Sequence, residues 1–443
     1  MCGIAIQYKS GFCNPSKISH RGVKKTTVEF LDYSLTHFKL PFQTLLDDEY
    51  NQPIKLSNGN YLLFNGEIFN IPRNFKNDVQ YLINFFEKEN WLENIGGSEY
   101  NEWDGFWAIC IVTPKGIYAF TDPLGKKQLY YNTEGCIASE IKAILKEDFK
   151  DYKFNQTEVE KTSLTPFQWI YRLEPNKLYY FDGIVPKKDS KILYDLKRPP
   201  KSNNLLELMK EAVQMRLINN FDSNTLLISG GLDSTIILGI LFELGVIGNF
   251  QLLAIENQND SFYLPYIEDF YKCEIEIISK PDLRDVQEIQ KIAKSYEYPI
   301  EKGSLFQQSK LIEFSRGSVI FTGDGADELF SGYSRAQIKD TQNFDVFTEL
   351  PYYHNIRLDR MGMRFTKEIR NPFLSHEIVR YALNLPYESR RGKKILKETF
   401  KDIIPVEILS RTKTPLRNDK MALNKTDYQN EFQNMFNQIN FSK

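Results

Sequence analysis

With 443 residues the chain is too long for one typical domain and suits two or three. Its composition, 42% apolar and 26% charged with a formal net charge of -2, is that of an ordinary globular protein and supplies no basic field for a nucleic-acid backbone. No run approaches the apolar length of a membrane span, the start MCGIAIQYKSG lacks the parts of a signal peptide, and five cysteines with four scattered histidines spell neither a disulfide framework nor a zinc motif. These features lead us to expect a cytoplasmic protein with neither a membrane nor a nucleic acid as partner.

In chain order, short runs rich in β-branched and aromatic residues at 3–8, 60–69, 106–112, 116–120 and 128–131 read as strands, with one helix over 78–89. The first 145 residues or so are therefore mostly sheet. A Lys/Pro-rich segment over 185–202 lowers the apolar content, and the boundary between a unit 1–190 and a unit 191–443 is placed there. Beyond it helices and strands alternate: helix 205–218, a strand and helix within 224–245, strands 251–256 and 274–279, helix 284–295, strand 318–322. That alternation predicts a parallel sheet covered by helices. From Asp324 onward the pattern reads as helical.

The stretch 224–245 breaks an apolar strand with Ser229-Gly230-Gly231-Leu232-Asp233-Ser234 and resumes as an apolar helix. Two glycines without Cβ atoms, hydroxyls on Ser229, Ser234 and Thr235, and a helix N-terminus make a phosphate cradle. It is not a Walker A loop, which ends in Gly-Lys-Ser/Thr. Asp233 stands in its middle, and a carboxylate facing phosphates makes sense through Mg2+, so the loop points to pyrophosphate chemistry on ATP.

In the first half, removal of Met1 leaves Cys2 at the chain start, where thiol and α-amine share one residue. With an ordinary α-amine pKa of about 7.7–8.0, the amine can serve as base for the thiol at neutral pH. Asn65-Gly66-Glu67 closes a hydrophobic strand, offering an amide and a backbone N–H to a developing oxyanion and a carboxylate to a substrate amine; Asp78 opens the next helix. With Met-Cys-Gly-Ile at the start, His20-Arg21-Gly22, Lys39-Leu40-Pro41, Asn65-Gly66-Glu67, Asp122-Pro123-Leu124-Gly125, Leu129-Tyr130-Tyr131 and Ala138-Ser139-Glu140-Ile141-Lys142 in order, this half resembles the class II glutamine amidotransferases. The resemblance implies an N-terminal nucleophile αββα sandwich, attack by Cys2, and an oxyanion hole from Asn65 and Gly66. Glu67 and Asp78 would hold the glutamine amine, and Lys39 would stand where the family places an arginine for the glutamine carboxylate, with Arg21 as the other candidate. A lysine cannot reproduce the two-pronged contact of an arginine.

With Thr322-Gly323-Asp324-Gly325-Ala326-Asp327-Glu328-Leu329-Phe330-Ser331-Gly332-Tyr333, Leu358-Asp359-Arg360-Met361, Glu368-Ile369-Arg370-Asn371-Pro372-Phe373-Leu374 and Gly392-Lys393-Lys394-Ile395-Leu396-Lys397 in order, the second half resembles the glutamine-hydrolysing asparagine synthetases. Ser375 replaces the usual aspartate, and Asp324 the usual glutamate. The resemblance implies an α/β ATP pyrophosphatase domain of the PP-loop type with a helical C-terminal part, using ATP and Mg2+. Ser229, Gly230, Gly231, Leu232, Asp233, Ser234, Thr322 and Gly323 would bind ATP, and Asp233 and Asp327 would share the metal. Asp324, Asp327 and Arg370 would face the acceptor or intermediate, and Lys393, or Lys394 one register on, would be the catalytic lysine. Glutamine, ATP and aspartate or another carboxylate are the implied substrates, and a homodimer is compatible. An amidotransferase or cyclase acting on another carboxyl or a modified nucleobase is the rival within the class, and a catalytically silent binding protein the rival outside it.

Overall fold

The computed structural model describes residues 2–9, 11–40, 50–146, 162–183, 186–189, 191–218, 224–256, 260–282, 285–299, 304–411, 432 and 436. Pro41, Val185 and Arg284, which completed or bounded predicted features, lie outside the described residues. Among the described residues the first half holds twelve strands: β1 Gly3–Tyr8, β2 Lys24–Phe30, β3 Tyr33–Lys39, β4 Ile54–Lys55, β5 Tyr61–Ile68, β6 Gly105–Thr113, β7 Gly116–Thr121, β8 Tyr130–Asn132, β9 Ile137–Ala138, β10 Ile170–Arg172, β11 Tyr179–Phe181 and β12 Pro186–Lys188. They form two six-stranded antiparallel sheets, ordered β10-β8-β9-β1-β3-β2 and β12-β11-β7-β6-β5-β4. Period-two alternation sorts β6 between two cores: Ala108, Cys110 and Val112 face Ile4, Ile6 and Leu35 of the other sheet, while Trp107, Ile109 and Ile111 face helix α1, Asp78–Glu87. That helix buries Tyr81, Leu82, Phe85 and Phe86 and starts with Asn77 accepting from the Gln80 N–H at 2.9 Å.

The sequence pattern missed the β2–β3 hairpin. Lys24, Lys25 and Glu29 on β2 keep it half out in water, so the apolar alternation that marks a strand is absent.

The described residues of the second half are built on five parallel strands, β13 Asn224–Leu227, β14 Phe250–Ile255, β15 Glu276–Ile278, β16 Val319–Phe321 and β17 Glu368–Arg370, in the order β15-β14-β13-β16-β17. Strand β17 corrects the helical reading of the chain after Asp324. It is too short to show alternation, and its outer residues, Glu368 and Arg370, are buried as an ion pair at 2.6 Å. Helices α2 Leu205–Met215, α3 Leu232–Glu243, α4 Val286–Tyr296, α5 Leu305–Phe314 and α6 Asn355–Arg364 cover the sheet. Helix α3 has buried residues all round, the signature of a helix inside the core. No helix among the described residues is long and apolar enough to cross a membrane.

The halves pack closely. On the outer face of the first sheet, Ala5, Phe38, Tyr130 and Ala138 share a core with Ile292 and Tyr296 of α4 and with Ile356, Leu358 and Met361 of α6. The Lys/Pro-rich segment is likewise tied down, with Leu193, Tyr194 and Leu196 buried and the Tyr194 hydroxyl donating to the Trp103 carbonyl at 2.7 Å.

A charge network lies within this junction. Arg21 donates to Glu140 at 2.6 Å and to both oxygens of Asp359 at 2.9 and 3.2 Å; Lys127 reaches Asp359 at 3.0 Å. Arg360 reaches Glu297 at 3.0 Å and Asp359 at 3.1 Å, and Glu297 also accepts the N–H groups of Ile141 and Lys142. All six charged residues are no more than 2% exposed. Burial alone would raise the Asp359 carboxyl pKa, but Arg21, Lys127 and Arg360 hold it well below the usual carboxylate range. Removing one member strands its partners in a dry site, so Asp359→Ala should cost about 3–5 kcal/mol in a denaturant melt.

Candidate active sites

The first centre lies where β1 and β5 begin and end beside each other. The Cys2 N–H donates to Asn65 Oδ1 at 2.8 Å. Asn65 Nδ2 is buried and has no hydrogen-bond partner among the described residues. An unpaired buried donor beside a thiol is costly unless something else takes it, and an oxyanion formed at Cys2 is such a group. Gly66 lets β5 and β6 approach, since a Cβ there would come within 2.1 Å of the Phe106 carbonyl oxygen. Lys39 ends β3, whose register sets Phe38 opposite Gly3 and so runs its backbone beside Cys2.

Glu67 and Asp78 are the acidic part of this centre. Asp78 Oδ2 accepts the Ile68 N–H at 3.1 Å, yet burial outweighs that bond and pushes the carboxyl up to about 6. Burial, with Glu368 and Asp78 nearby, likewise holds Glu67 well above the usual range. Two desolvated carboxyls gain by receiving an ammonium group.

Arg21 is a correction. Its Nε donates to the Cys2 carbonyl at 3.0 Å, while its Nη1 and Nη2 are committed to Glu140 and Asp359. It holds the backbone of Cys2 from the buried side and has no free edge for a glutamine carboxylate.

The second centre sits at the C-terminal ends of β13 and β16, the neighbouring strands from which the sheet winds in opposite directions. Such a switch point is where open α/β sheets bind ligands. The loop from Ser229 to Ser234 leaves β13, with the Ser229 and Ser234 hydroxyls 3.3 Å apart and Thr235 Oγ1 donating to the Gly231 carbonyl at 2.7 Å. Thr322 and Gly323 leave β16. A Cβ on Gly323 would come 2.7 Å from that of Asp233, so the two loops touch only because residue 323 is glycine.

Lys393 reaches both carboxylates predicted to share a metal, at 2.6 Å from Asp233 and 2.6 Å from Asp327. Burial would lower its pKa, but the two carboxylates raise it and keep the ammonium charged. Lys394 points out to solvent, so Lys393 is the lysine at this centre.

Asp324 is held through Oδ2 by the Thr322 hydroxyl at 2.7 Å and through Oδ1 by Arg357 at 2.9 Å. Arg357 also reaches Ser304, at the N-terminus of α5. The sequence reading missed Arg357, although it stands directly before the quoted Leu358-Asp359-Arg360-Met361.

Arg370 is a second correction. Its Nε donates to Glu368 and its Nη1 to the Arg216 carbonyl, both at 2.6 Å, and its guanidinium lies 5.0 Å from the Phe69 ring centroid. It therefore faces the first half, and its charge bears on Glu67. Ser375 bonds the buried Asp104, whose other oxygen takes Arg216 at 2.6 Å, so this substitution also serves the junction.

The raised Asp78 carboxyl sets a pH dependence. It is ionised above pH 6 and neutral below, so KM for glutamine in a glutaminase assay should climb as pH falls through about 6. Asp78→Asn should raise that KM by roughly tenfold to a hundredfold, about 1.5–3 kcal/mol, and flatten this pH dependence.

Two family patterns match the chain, one in each half. The glutamine amidotransferase domain pattern matches residues 1–183, and the asparagine synthase pattern matches 204–345 and 335–440. A putative glutamine-hydrolysing asparagine synthetase of Methanocaldococcus jannaschii is 26% identical over 74% of this chain and 69% of its own length. The glutamine-hydrolysing asparagine synthetase of Homo sapiens is 26% identical over 93% of this chain and 83% of its own. A solved glutamine phosphoribosylpyrophosphate amidotransferase from B. subtilis superposes with a TM-score of 0.29 and 12% identity over 95% of this chain and 99% of its own, too loosely to bear on the fold. The chain belongs to the asparagine synthase family, with a glutamine amidotransferase domain ahead of its synthase domain.

Proposed function

We propose that the chain is a glutamine-dependent asparagine synthetase, with residues 1–190 as the glutaminase and 191–443 as the synthetase. The observation that carries the reading is the convergence of Lys393 with Asp233 and Asp327 at the switch point, in a chain that also sets Cys2 beside the unpartnered amide of Asn65.

The Cys2 thiol attacks the carboxamide carbon of glutamine and gives its proton to the α-amine of the same residue. Asn65 Nδ2, with the Gly66 N–H, takes the charge on the carbonyl oxygen. Glu67 and Asp78 hold the glutamine ammonium, and Lys39 its carboxylate. Collapse of this tetrahedral adduct breaks the C–N bond, the nitrogen takes the proton from the α-amine and leaves as ammonia, and water hydrolyses the remaining thioester to glutamate. Ammonia must travel inside the protein, because in water near neutral pH most of it becomes ammonium, which has no lone pair.

At the second centre an acceptor carboxylate attacks the α-phosphorus of ATP, pyrophosphate leaves, and ammonia displaces AMP from the acyl-adenylate. Lys393 supplies positive charge to the crowded phosphorus and then to the tetrahedral intermediate. Mg2+ fits the residues present: Asp233 and Asp327 offer oxygen donors that already converge on a cation, the Lys393 ammonium. Bound by them, the metal would neutralise the leaving pyrophosphate. The acceptor is aspartate on this reading, and Asp324, fixed by Thr322 and Arg357, would face it.

Three measurements test this. Cys2→Ala should abolish glutamine-dependent product while leaving ammonia-dependent product, and Asp233→Asn should remove pyrophosphate release with either nitrogen donor; equal loss of both products in the Cys2 variant would sink the two-centre reading. Enzyme with ATP, Mg2+, glutamine and aspartate should form asparagine and AMP in equal amounts. If glutamine is hydrolysed but neither product forms, a larger carboxylate takes the place of aspartate.

A further inference from the structure

We infer that Arg411 is a positioning residue for ATP: it locks the Gly230–Gly231 peptide so that its N–H, and not its carbonyl, faces the nucleotide. The inference rests on the reading of the 229–234 loop as the phosphate cradle.

The two ends of that peptide point in opposite directions, as in any trans peptide. The Gly231 N–H is directed to Ser229 Oγ at 3.3 Å, on the side where the Ser229 and Ser234 hydroxyls meet. The Gly230 carbonyl is turned the other way and accepts from Arg411 Nη1. Arg411 is fixed in turn. Its Nη2 pairs with Asp260, both side chains are under one-tenth exposed, and its guanidinium lies 4.5 Å from the Tyr263 ring centroid. The Asp260 carbonyl oxygen closes in from the same side, 2.6 Å from where a Cβ on Gly230 would stand.

The lock is needed because the sequence there is Gly-Gly. Gly230 has φ +65° and Gly231 φ -96°. A flip of the peptide between them turns ψ of the first and φ of the second by about half a turn, carrying Gly231 to positive φ, which glycine tolerates and other residues resist. The flipped loop would present a carbonyl oxygen to a phosphate, replacing attraction with repulsion. The same glycines that admit a bulky anion therefore leave the loop free to reject it, and the Arg411 hydrogen bond removes that freedom.

The test is pyrophosphate release with ammonium as nitrogen donor and ATP varied. Arg411→Met keeps an unbranched side chain of similar reach but removes the donors, and should raise KM for ATP at least about tenfold, the scale of a lost charged hydrogen bond. The KM for ammonium and the glutaminase rate at Cys2 should not move. Arg411→Lys, which retains one N–H for the Gly230 carbonyl, should recover most of the ATP affinity. A KM for ATP within twofold of the parent in Arg411→Met would overturn the inference, as would a Lys variant no better than the Met variant at the same melting temperature. Asp233→Asn run alongside separates the two readings: if it still releases pyrophosphate at the parent rate, the cradle itself is misassigned.

Discussion

Helix α6 sits between the two centres, and its charged residues tie each to the other. Asp359 holds Arg21, and Arg21 holds the carbonyl of Cys2. Two residues earlier, and so on nearly the opposite face of the helix, Arg357 holds Asp324. Six buried charges around Asp359 are expensive to desolvate and tolerable only as a complete set. The network therefore fixes the relative position of the halves more sharply than the apolar contacts around it, which tolerate sliding by small repacking.

The same junction sets the electrostatics of the acidic pair Glu67 and Asp78. Glu368 lies at the start of β17 and is charge-balanced by Arg370, which lies over Phe69 of the first half. Its carboxylate stays ionised and adds to the burial that raises Glu67. A residue of the synthetase sheet thus acts on the electrostatics of the glutaminase site. Arg370, expected at the acceptor, instead pairs with Glu368 and lies over Phe69 of the first half.

Much of this was legible in the sequence, and the limits have physical causes. The loop at 229–234 could be read because strand, glycine pair, hydroxyls and apolar helix are contiguous. Cys2, Asn65 and Gly66 could be read because their chemistry is local to one residue or one strand end. Arg21, Arg370 and β17 could not: a buried arginine and a ligand-binding arginine look alike until their partners are known, the carboxylates around Arg21 stand more than a hundred positions away, and Arg370 pairs with Glu368 inside a strand too short to show alternation. Arg357 and Arg411 were missed for the reverse reason. Each acts by holding another residue's oxygen, a role with no local pattern.

The second centre also shows how closeness is achieved at the expense of backbone freedom. Lys393 adopts the left-handed region at φ +60°, a conformation of modest cost for a lysine, and this bend drops its side chain onto Asp233 and Asp327 while Lys394 starts the next helix in solvent. Gly332 makes the approach sterically allowed: a Cβ there would stand 2.0 Å from Asp327 Oδ1 and 2.4 Å from the Lys393 Cε. Asp233, Asp327 and Lys393 come from three separated segments, so no single stretch of sequence encodes their meeting. What encodes it is the set of small residues at 323 and 332 that leave room for it, together with a peptide bend that the charges themselves hold in place.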